Sequence, residues 1–472
     1  MRVPYRKVKI VATLGPASAS LDVIRAFVTA GVNVFRLNMS HGTHAIHAQS
    51  ITWIRQVEKE DGHPLGILVD LQGPKLRVGR FQDKSGVLLK DGDSFVLDLN
   101  ENPGDDHRVS FPHGDIYPHL TPGSLLLLND GAIRLRVDQA TKDHIQTTVM
   151  VGGILSDHKG VNVPGGNLPI KAMTDKDLED LHFALQHPID FIGLSFVQRG
   201  DDMRELRSLV GTKAAILAKI EKPQALENLE DIVALSDGIM VARGDLGVEL
   251  SPEKVPALQK KIIRTCRALG KPVIVATQML ETMKEHPFPT RAEASDVATA
   301  VYDGADAVML SAESATGQYP LEAISMMGKI ITSVEEDEFY LSFLAKMGGI
   351  ANHQVSDAIS AAATQLSYTL PAAAIVTYTA LGGTARRVSH KRPSCVIFGM
   401  TDSLQTARQL ALVWGVYPTL VQGVHTFEDM QAGALSMVKD HGGESGDAIV
   451  FTCGVPFGNP GSTNIINVQV LS

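Results

Sequence analysis

The chain of 472 residues is poor in aromatics, cysteine and positive charge, and each shortage excludes something. Phe, Trp and Tyr make up 5% of it, so its core has to be aliphatic, as the cores of buried parallel sheets are. Its three cysteines, Cys266, Cys395 and Cys453, lie far apart without metal-ligand spacing. That usage fits reduced, inert core thiols and no disulfide framework. A formal charge of −9 argues against a general nucleic-acid binder, which needs a basic surface to neutralise phosphates. It leaves room for a local basic pocket that takes a small anion. No apolar run is long enough to cross a bilayer, and the N-terminal MRVPYRKVKI runs straight into a strand pattern without a signal-peptide core. Neither nucleic acid nor membrane is expected as a partner, and the expected location is cytoplasmic. Asn38-Met39-Ser40 matches the glycosylation sequon, but without a secretory signal it carries no weight.

What is present is a long alternation of strand and helix patterns. A chain of this length calls for two or three domains. Strand patterns at Lys7 to Leu14, Asn33 to Leu37 and Leu65 to Leu71 are each followed by a helical pattern or a Gly-Pro turn. From about Val78 to Pro164 the rhythm breaks into short alternating stretches separated by turn signals such as Asp91-Gly92-Asp93 and Asn129-Asp130-Gly131, which reads as a small all-β insert. Strands then return at Asp190 to Phe196, Ala214 to Glu221, Gly238 to Ala242, Pro272 to Gln278 and Ala305 to Ser311, with helical patterns between them. Thr174 is the expected cap of the first of those helices. Eight strand-helix units read as a (β/α)₈ barrel, with a doubly wound sheet as the alternative. A composition shift near Glu335 to Gln354 opens a smaller α/β unit with strands at Ala373 to Tyr378, Ser394 to Phe398, Tyr417 to Val421, Ala448 to Thr452 and Ile465 to Val470. The expected partition is a barrel over residues 1–72 and 166–340, a small β-barrel lid over 73–165, and a C-terminal α/β regulatory domain over 341–472.

In such a barrel the site lies where the strands end. Those ends carry Arg36, Asn38, Ser40 and His41; Asp70, Lys75 and Arg77; Ser195; Lys219 and Glu221; Asp245; Thr277 and Gln278; and Ser311 and Glu313. Lys219 and Glu221 are two apart, so on a strand both face the same side. By itself that pair reads as a salt-bridged strand end, and Arg36 reads equally well as a partner of Asp70 across adjacent strands. A ring of polar strand ends outweighs both. Glu221 and Asp245 are oxygen donors for Mg²⁺, which keeps few protein ligands and completes its shell with substrate oxygens and water. Arg36 and Arg77 carry forks suited to phosphate. Lys219 is a fixed positive charge where charge develops during a transfer. Gly244 lets backbone amides approach an anion, and Arg243-Gly244-Asp245 opens a helical turn whose N-terminus favours anions.

The stretches Arg36-Leu37-Asn38-Met39-Ser40-His41-Gly42, Lys219-Ile220-Glu221, Met240-Val241-Ala242-Arg243-Gly244-Asp245-Leu246-Gly247, Ala276-Thr277-Gln278-Met279-Leu280-Glu281 and Met309-Leu310-Ser311-Ala312-Glu313 resemble the pyruvate kinase family, and the resemblance covers nearly the whole chain. It implies a barrel, a lid inserted after the third strand and a C-terminal α/β domain. It implies transfer of the phosphoryl group of phosphoenolpyruvate to ADP, giving pyruvate and ATP, in a homotetramer. Glu221 and Asp245 would hold Mg²⁺, or Mn²⁺ in its place. Lys219 and Arg36 would contact the transferring phosphoryl, while Gly244, Asp245 and Thr277 would hold the carboxylate end. Asn38, Ser40, His41, Arg77 and Lys159 match nucleotide-side positions, although Lys159 by itself reads as a solvated loop lysine. There is no Walker sequence, so transfer would rely on positioning and charge neutralisation.

Two departures from the family pattern stand out. Many members carry Thr after the Asp and Glu after Gly-Pro, and bind K⁺ through Asn, Ser, Asp and Thr positions. Here the stretch is Asp70-Leu71-Gln72-Gly73-Pro74-Lys75. The Lys75 ammonium, near Asn38, Ser40 and Asp70, is expected to substitute for K⁺, so that K⁺ is not required; a plain surface lysine is the alternative. Members responsive to fructose 1,6-bisphosphate carry Ser-Gly-Arg-Ser-like residues after the first C-terminal strand. This chain has Thr379-Ala380-Leu381-Gly382-Gly383-Thr384, without the Arg, and Gly458 to Asn464 as a facing lip. A phosphorylated effector on Thr379, Gly382, Gly383 and Thr384 is expected, against two ordinary turns. The rivals for the whole chain are an Mg²⁺-dependent barrel aldolase or lyase acting on pyruvate enolate, and a non-catalytic effector-binding subunit.

Overall fold

In the computed structural model, which describes residues 5–165, 171–346, 354–370, 372–457 and 461–471, eight parallel strands close into a barrel. They are Lys9–Thr13, Val34–Asn38, Gly66–Asp70, Phe191–Leu194, Ala215–Ile220, Gly238–Ala242, Val273–Ala276 and Ala307–Leu310. The eighth pairs with the first, Lys9 lying opposite Ala307. Period-two alternation sorts their side chains. Val11, Val34, Leu68, Phe191, Leu217, Met240, Ile274 and Met309 fill the barrel, while Ala12, Phe35, Val69, Ile216 and Val241 pack outward under the helices. Two residues further along the same inward rows come Thr13, Arg36, Asp70 and Lys219, and two beyond Lys219 comes Glu221. The apolar floor therefore dictates which polar groups face one another at the top.

Local chemistry starts the surrounding helices where the sequence places them. Ser20 caps Leu21–Thr29 by accepting from the Val23 amide. Thr174 and Asp177 form a reciprocal capping box on Asp175–Ala184, and Thr290 with Glu293 does the same on Arg291–Tyr302. Such caps satisfy amides that have no intrahelical partner.

The insert between the third and fourth barrel strands is almost all β. A six-stranded sheet runs in the order Val161–Asn162, Leu125–Leu128, Ile133–Ala140, His144–Val151, Ser94–Asp98, Arg108–Ser110, beside a ribbon of Val87–Leu89 and Gly153–Leu155. Phe95, Phe111, Tyr117, Leu126 and Leu135 give it a core of its own.

The C-terminal sheet is ordered Val416–Leu420, Val396–Thr401, Ala374–Tyr378, Ala448–Gly454, Thr463–Val470, with only the last strand antiparallel. It docks on the barrel floor, away from the polar rim. Leu412 belongs to the cluster that fills the barrel, and the Lys9 ammonium donates to the Val416 carbonyl at 2.7 Å. Cys266, Cys395 and Cys453 are all buried free thiols. No helix among the described residues is long and apolar enough to cross a membrane.

Candidate active site

The inward-facing polar residues form one buried network. The Lys219 ammonium donates to Ser195 Oγ at 2.6 Å and lies 3.1 Å from Glu221 Oε1 and 3.2 Å from Asp70 Oδ1. Arg36 donates through Nε to Asp70 Oδ2 at 2.6 Å and through Nη1 to Thr13 Oγ1 at 3.1 Å. The pairing of Arg36 with Asp70 and that of Lys219 with Glu221 are thus both real, and they are halves of one cluster. Burial alone would push the Asp70 carboxyl up; Lys219 and Arg36 overcome it and hold the group below the usual carboxylate range. Burial likewise works against the charge on Lys219, but Asp70 and Glu221 hold its ammonium above the ordinary value. Glu221 differs. Burial raises it, Lys219 only partly opposes this, and the nearby charge of Asp245 adds to the rise.

Backbone geometry at two strand ends is unusual. Phe196 has φ 53°, Thr277 φ 69° and Gln278 φ 53°, left-handed values that non-glycine residues, and β-branched ones above all, seldom adopt. The Phe196 turn aims its amide at Glu221 Oε2, 2.8 Å away. The Thr277 turn brings Oγ1 to the Gly244 amide at 2.8 Å. Of the two amides expected to meet an anion, Gly244's is therefore already engaged by Thr277. Asp245 sits one residue further into the helix Arg243–Leu250, within the turn whose amides have no intrahelical partner. A Cβ at Gly244 would lie 3.5 Å from Thr277 Oγ1, an ordinary contact, so the protein's own packing does not demand glycine there. Arg243 does not face the rim; it binds Asp296 at 2.7 Å and the Thr277 carbonyl at 2.8 Å, and so locks the two strand ends together.

The lid edge supplies the outer groups. Lys75 lies 3.6 Å from Asp245 Oδ1. Its ion-pair partner is Asp245 and not Asp70, whose oxygens are held by Arg36 and Lys219. Arg77 donates from Nη1 to the His158 carbonyl at 2.9 Å, across the strip where Arg77 bridges Gly160. Lys159 is half-buried at the lid's return, on the same strip. Asn38 Oδ1 accepts from the Ser40 amide at 3.1 Å. His41 is pushed below its usual range by burial and then by Arg77, Arg36 and Lys75, which shows those three cations converging on one side of the rim. A cleft of about 750 Å³ opens between lid and barrel, lined by Asp130, Arg134, Lys75, Gly244, Asp245 and Gln278 among others. Lys75, Gly244 and Asp245 belong to both cleft and rim.

The donor set suits a hard divalent ion. No group of three or more His, Cys, Asp or Glu side chains gathers among the described residues, so a cage made only of protein is absent there. Burial and the nearby charge of Asp245 raise the proton affinity of Glu221, the signature of acceptor oxygens short of positive charge. Mg²⁺ needs only one or two carboxylates alongside substrate oxygens.

Two family descriptions match the chain: "Pyruvate kinase, barrel domain" over residues 5–324 and "Pyruvate kinase, alpha/beta domain" over residues 357–469. The chain belongs to the pyruvate kinase family. A pyruvate kinase of Methylorubrum extorquens is 47% identical over 99% of this chain and 98% of its own length, and one of Agrobacterium vitis is 48% identical over 98% of each. The crystal structure of a pyruvate kinase from Cryptosporidium parvum covers 99% of this chain and 96% of its own at 33% identity, with a TM-score of 0.92. Membership makes the chain a phosphotransferase and displaces the lyase reading. The barrel, its insert and the C-terminal α/β unit are the pyruvate kinase architecture that the sequence led to expect.

Sequence reasoning missed three features of this family member. Glu249 is buried and accepts from Asn162 Nδ2 at 2.8 Å and Lys222 Nζ at 2.5 Å, fastening the lid's last strand to the barrel. Arg243 pairs with Asp296, which no local pattern announces. The third is Arg387. The C-terminal loop lines a cavity of about 220 Å³ with Thr379, Gly383 and Thr384 on one side and Gly461, Ser462 and Thr463 on the other. The rest of the expected lip, residues 458–460, lies outside the described residues. The loop has no arginine of its own, but Arg387, one helical turn on, lines the cavity with a buried Nη1 that has no hydrogen-bond partner. A helix places residues three and four apart on one face, so Thr384 with Arg387 was the available signal.

Proposed function

We propose that this chain transfers the phosphoryl group of phosphoenolpyruvate to ADP at the rim of Arg36, Lys219, Glu221, Asp245 and Thr277. The bond from phosphorus to the enol oxygen breaks, a terminal ADP oxygen forms the new one, and the enolate takes up a proton to become pyruvate. The observation that carries this reading is the buried Lys219 ammonium, held between Asp70 and Glu221 and kept charged by them. A charge fixed in place before the reaction needs no reorganisation as the phosphoryl group moves, and such preorganisation is the main source of catalysis in phosphoryl transfer. Arg36, anchored by Asp70, offers its guanidinium from the adjacent strand. The Asp245 amide and Thr277 orient the carboxylate end. Arg77, Lys159 and His41, with Asn38 and Ser40, face the nucleotide phosphates, and lid closure excludes water.

Glu221 and Asp245 would hold Mg²⁺, or Mn²⁺ in its place, which when bound supplies Lewis-acid charge to the substrate oxygens. Charge counting favours ion and substrate arriving together. Arg36 and Lys219 balance Asp70 and Glu221, and Lys75 balances Asp245, so a dication calls for an anionic partner.

Turnover needs no K⁺ in this reading, because the Lys75 ammonium stands beside Asp245. The test is pyruvate formation in K⁺-free buffer by the native chain and by Lys75→Glu. Native turnover that K⁺ does not raise, with K⁺ activation in the variant, supports the substitution. A native enzyme dependent on K⁺ sinks it. We assign 1–72 with 166–340 to the catalytic barrel, 73–165 to the lid and 341–472 to a regulatory unit, in a cytoplasmic homotetramer, as membership of the family implies. The cavity at Thr379, Gly383 and Thr384, with Gly382 in the same loop and Arg387 at the cavity wall, would take a phosphorylated effector. Sugar phosphates that shift the phosphoenolpyruvate saturation curve, and fail to do so in Arg387→Met, are the expected result.

A further inference from the structure

Where the C-terminal domain meets the barrel floor, positive charge is gathered without an equal number of carboxylates. A small cavity of about 20 Å³ there is lined by Arg267 and Lys271 of the barrel, by Arg386, His390 and Arg392 of the C-terminal domain, and by one acid, Asp306. Asp306 is already committed: Oδ1 lies 3.0 Å from Arg392 Nη1, and Oδ2 accepts from the Val273 amide at 2.9 Å. The next carboxylate out, Asp237, is bound to Arg207 at 2.5 Å. Arg392 is 2% exposed; Nη2 donates to the Gly304 carbonyl at 2.9 Å, while Nε has no partner. His390 Nε2 is also buried and without a partner. Lys271 turns its ammonium to the Ser236 carbonyl at 2.6 Å, which offers a dipole but no compensating charge.

The titration behaviour of the cluster agrees with that geometry. Arg267 is pulled down to about 10, by burial first and by Arg392 next. His390 is lowered by burial, then by Lys391 and Arg392. Buried charge of one sign, beside nitrogens of Arg392 and His390 that have no hydrogen-bond partner, is costly unless an anion is included.

We propose that this seam is a halide site, in which one chloride-sized anion sits between Arg267 and Lys271 on the barrel and His390 and Arg392 on the C-terminal domain and ties the two together. Size selects the class. A space of this volume admits about one water-sized sphere, which suits a monatomic anion and is too small to enclose a sugar phosphate. It is therefore chemically separate from the larger cavity at Arg387. The tie joins the catalytic barrel floor to the C-terminal domain at a point apart from the Arg408–Glu58 and Lys9–Val416 contacts, so its occupancy adds to how firmly the two move as one.

Diffraction from crystals of the full chain grown in sodium bromide tests the site directly, because bromide scatters anomalously and water does not. An anomalous peak within the Arg267, Lys271, His390, Arg392 cluster is the expected result; a peak-free cavity overturns the proposal. Thermal unfolding in sodium chloride against sodium gluconate at equal ionic strength tests the tie. A saturable, chloride-specific rise in Tm is expected, weakened about tenfold or more in chloride affinity by His390→Leu. Should that variant not fold, the bromide peak in the native chain still decides. A bromide peak without any chloride-specific rise keeps the site and overturns its role as a tie.

Discussion

Replacing Lys219 by Met removes one charge and little volume, and the geometry fixes what should follow. The ammonium is 3.1 Å from Glu221 and 3.2 Å from Asp70. At an effective dielectric near 20, each contact is worth about 5 kcal/mol of gross Coulomb energy, most of which offsets the cost of burying the three groups. In Lys219→Met, Asp70 keeps Arg36, but Glu221 keeps only the Phe196 amide. Glu221, already raised by burial, would then hold a proton more readily still, which limits the damage to stability to about 3–5 kcal/mol. The loss in rate should be larger. A fixed cation aimed at a transferring phosphoryl is worth roughly 10³–10⁵ in kcat. Steady-state kinetics on the folded variant, with thermal unfolding as control, should show kcat reduced by about that factor and the KM for phosphoenolpyruvate changed far less. A folded variant that kept kcat within about tenfold of the native value would refute the assignment of Lys219 to the transition state.

Thr277→Ala removes the acceptor of the Gly244 amide, and a lost hydrogen bond of about 1–2 kcal/mol should lower kcat/KM for phosphoenolpyruvate by roughly tenfold; an unchanged value would count against its role. Asn162→Leu unfastens the lid from Glu249, and we expect a raised KM for ADP and quicker limited proteolysis of the lid neck, neither of which should occur if the lid is held elsewhere. Lys9 provides a pH test. Burial lowers it from 10.5 to about 7, so between those values the unfolded chain holds a proton that the folded chain lacks. Stability should therefore rise with pH through that window, at most by about 1.4 kcal/mol per pH unit from this group. Lys9→Met should be the more stable protein at pH 7 and should flatten the slope; denaturant titrations with identical slopes would contradict this.

The rim was legible because one rule generates it. Apolar rows at Val11, Val34, Leu68 and Leu217 mark the barrel interior, and period two carries each row to a polar residue. Some elements end where expected, as Gly238–Ala242 does. Others stop short for reasons that no pattern shows. The strand expected at Pro272 to Gln278 is Val273–Ala276, because Thr277 and Gln278 turn to positive φ to serve the rim. The C-terminal helix Leu404–Leu410 stops where the chain turns to set Leu412 into the barrel floor. Contacts between distant segments were out of reach for the same reason. Glu249 with Asn162, Lys75 with Asp245, and the cations at the seam are decided by how domains dock, and local periodicity carries no record of that.

The central claim is that this rim moves a phosphoryl group between phosphoenolpyruvate and ADP. Its most direct test is pyruvate release from those two compounds with Mg²⁺, measured with and without ADP in K⁺-free buffer. ADP-dependent release is expected, with one ATP formed per pyruvate and turnover lowered by roughly 10³-fold or more in Lys219→Met. Absence of turnover with Mg²⁺ or Mn²⁺, with and without K⁺ and sugar phosphates, would contradict it.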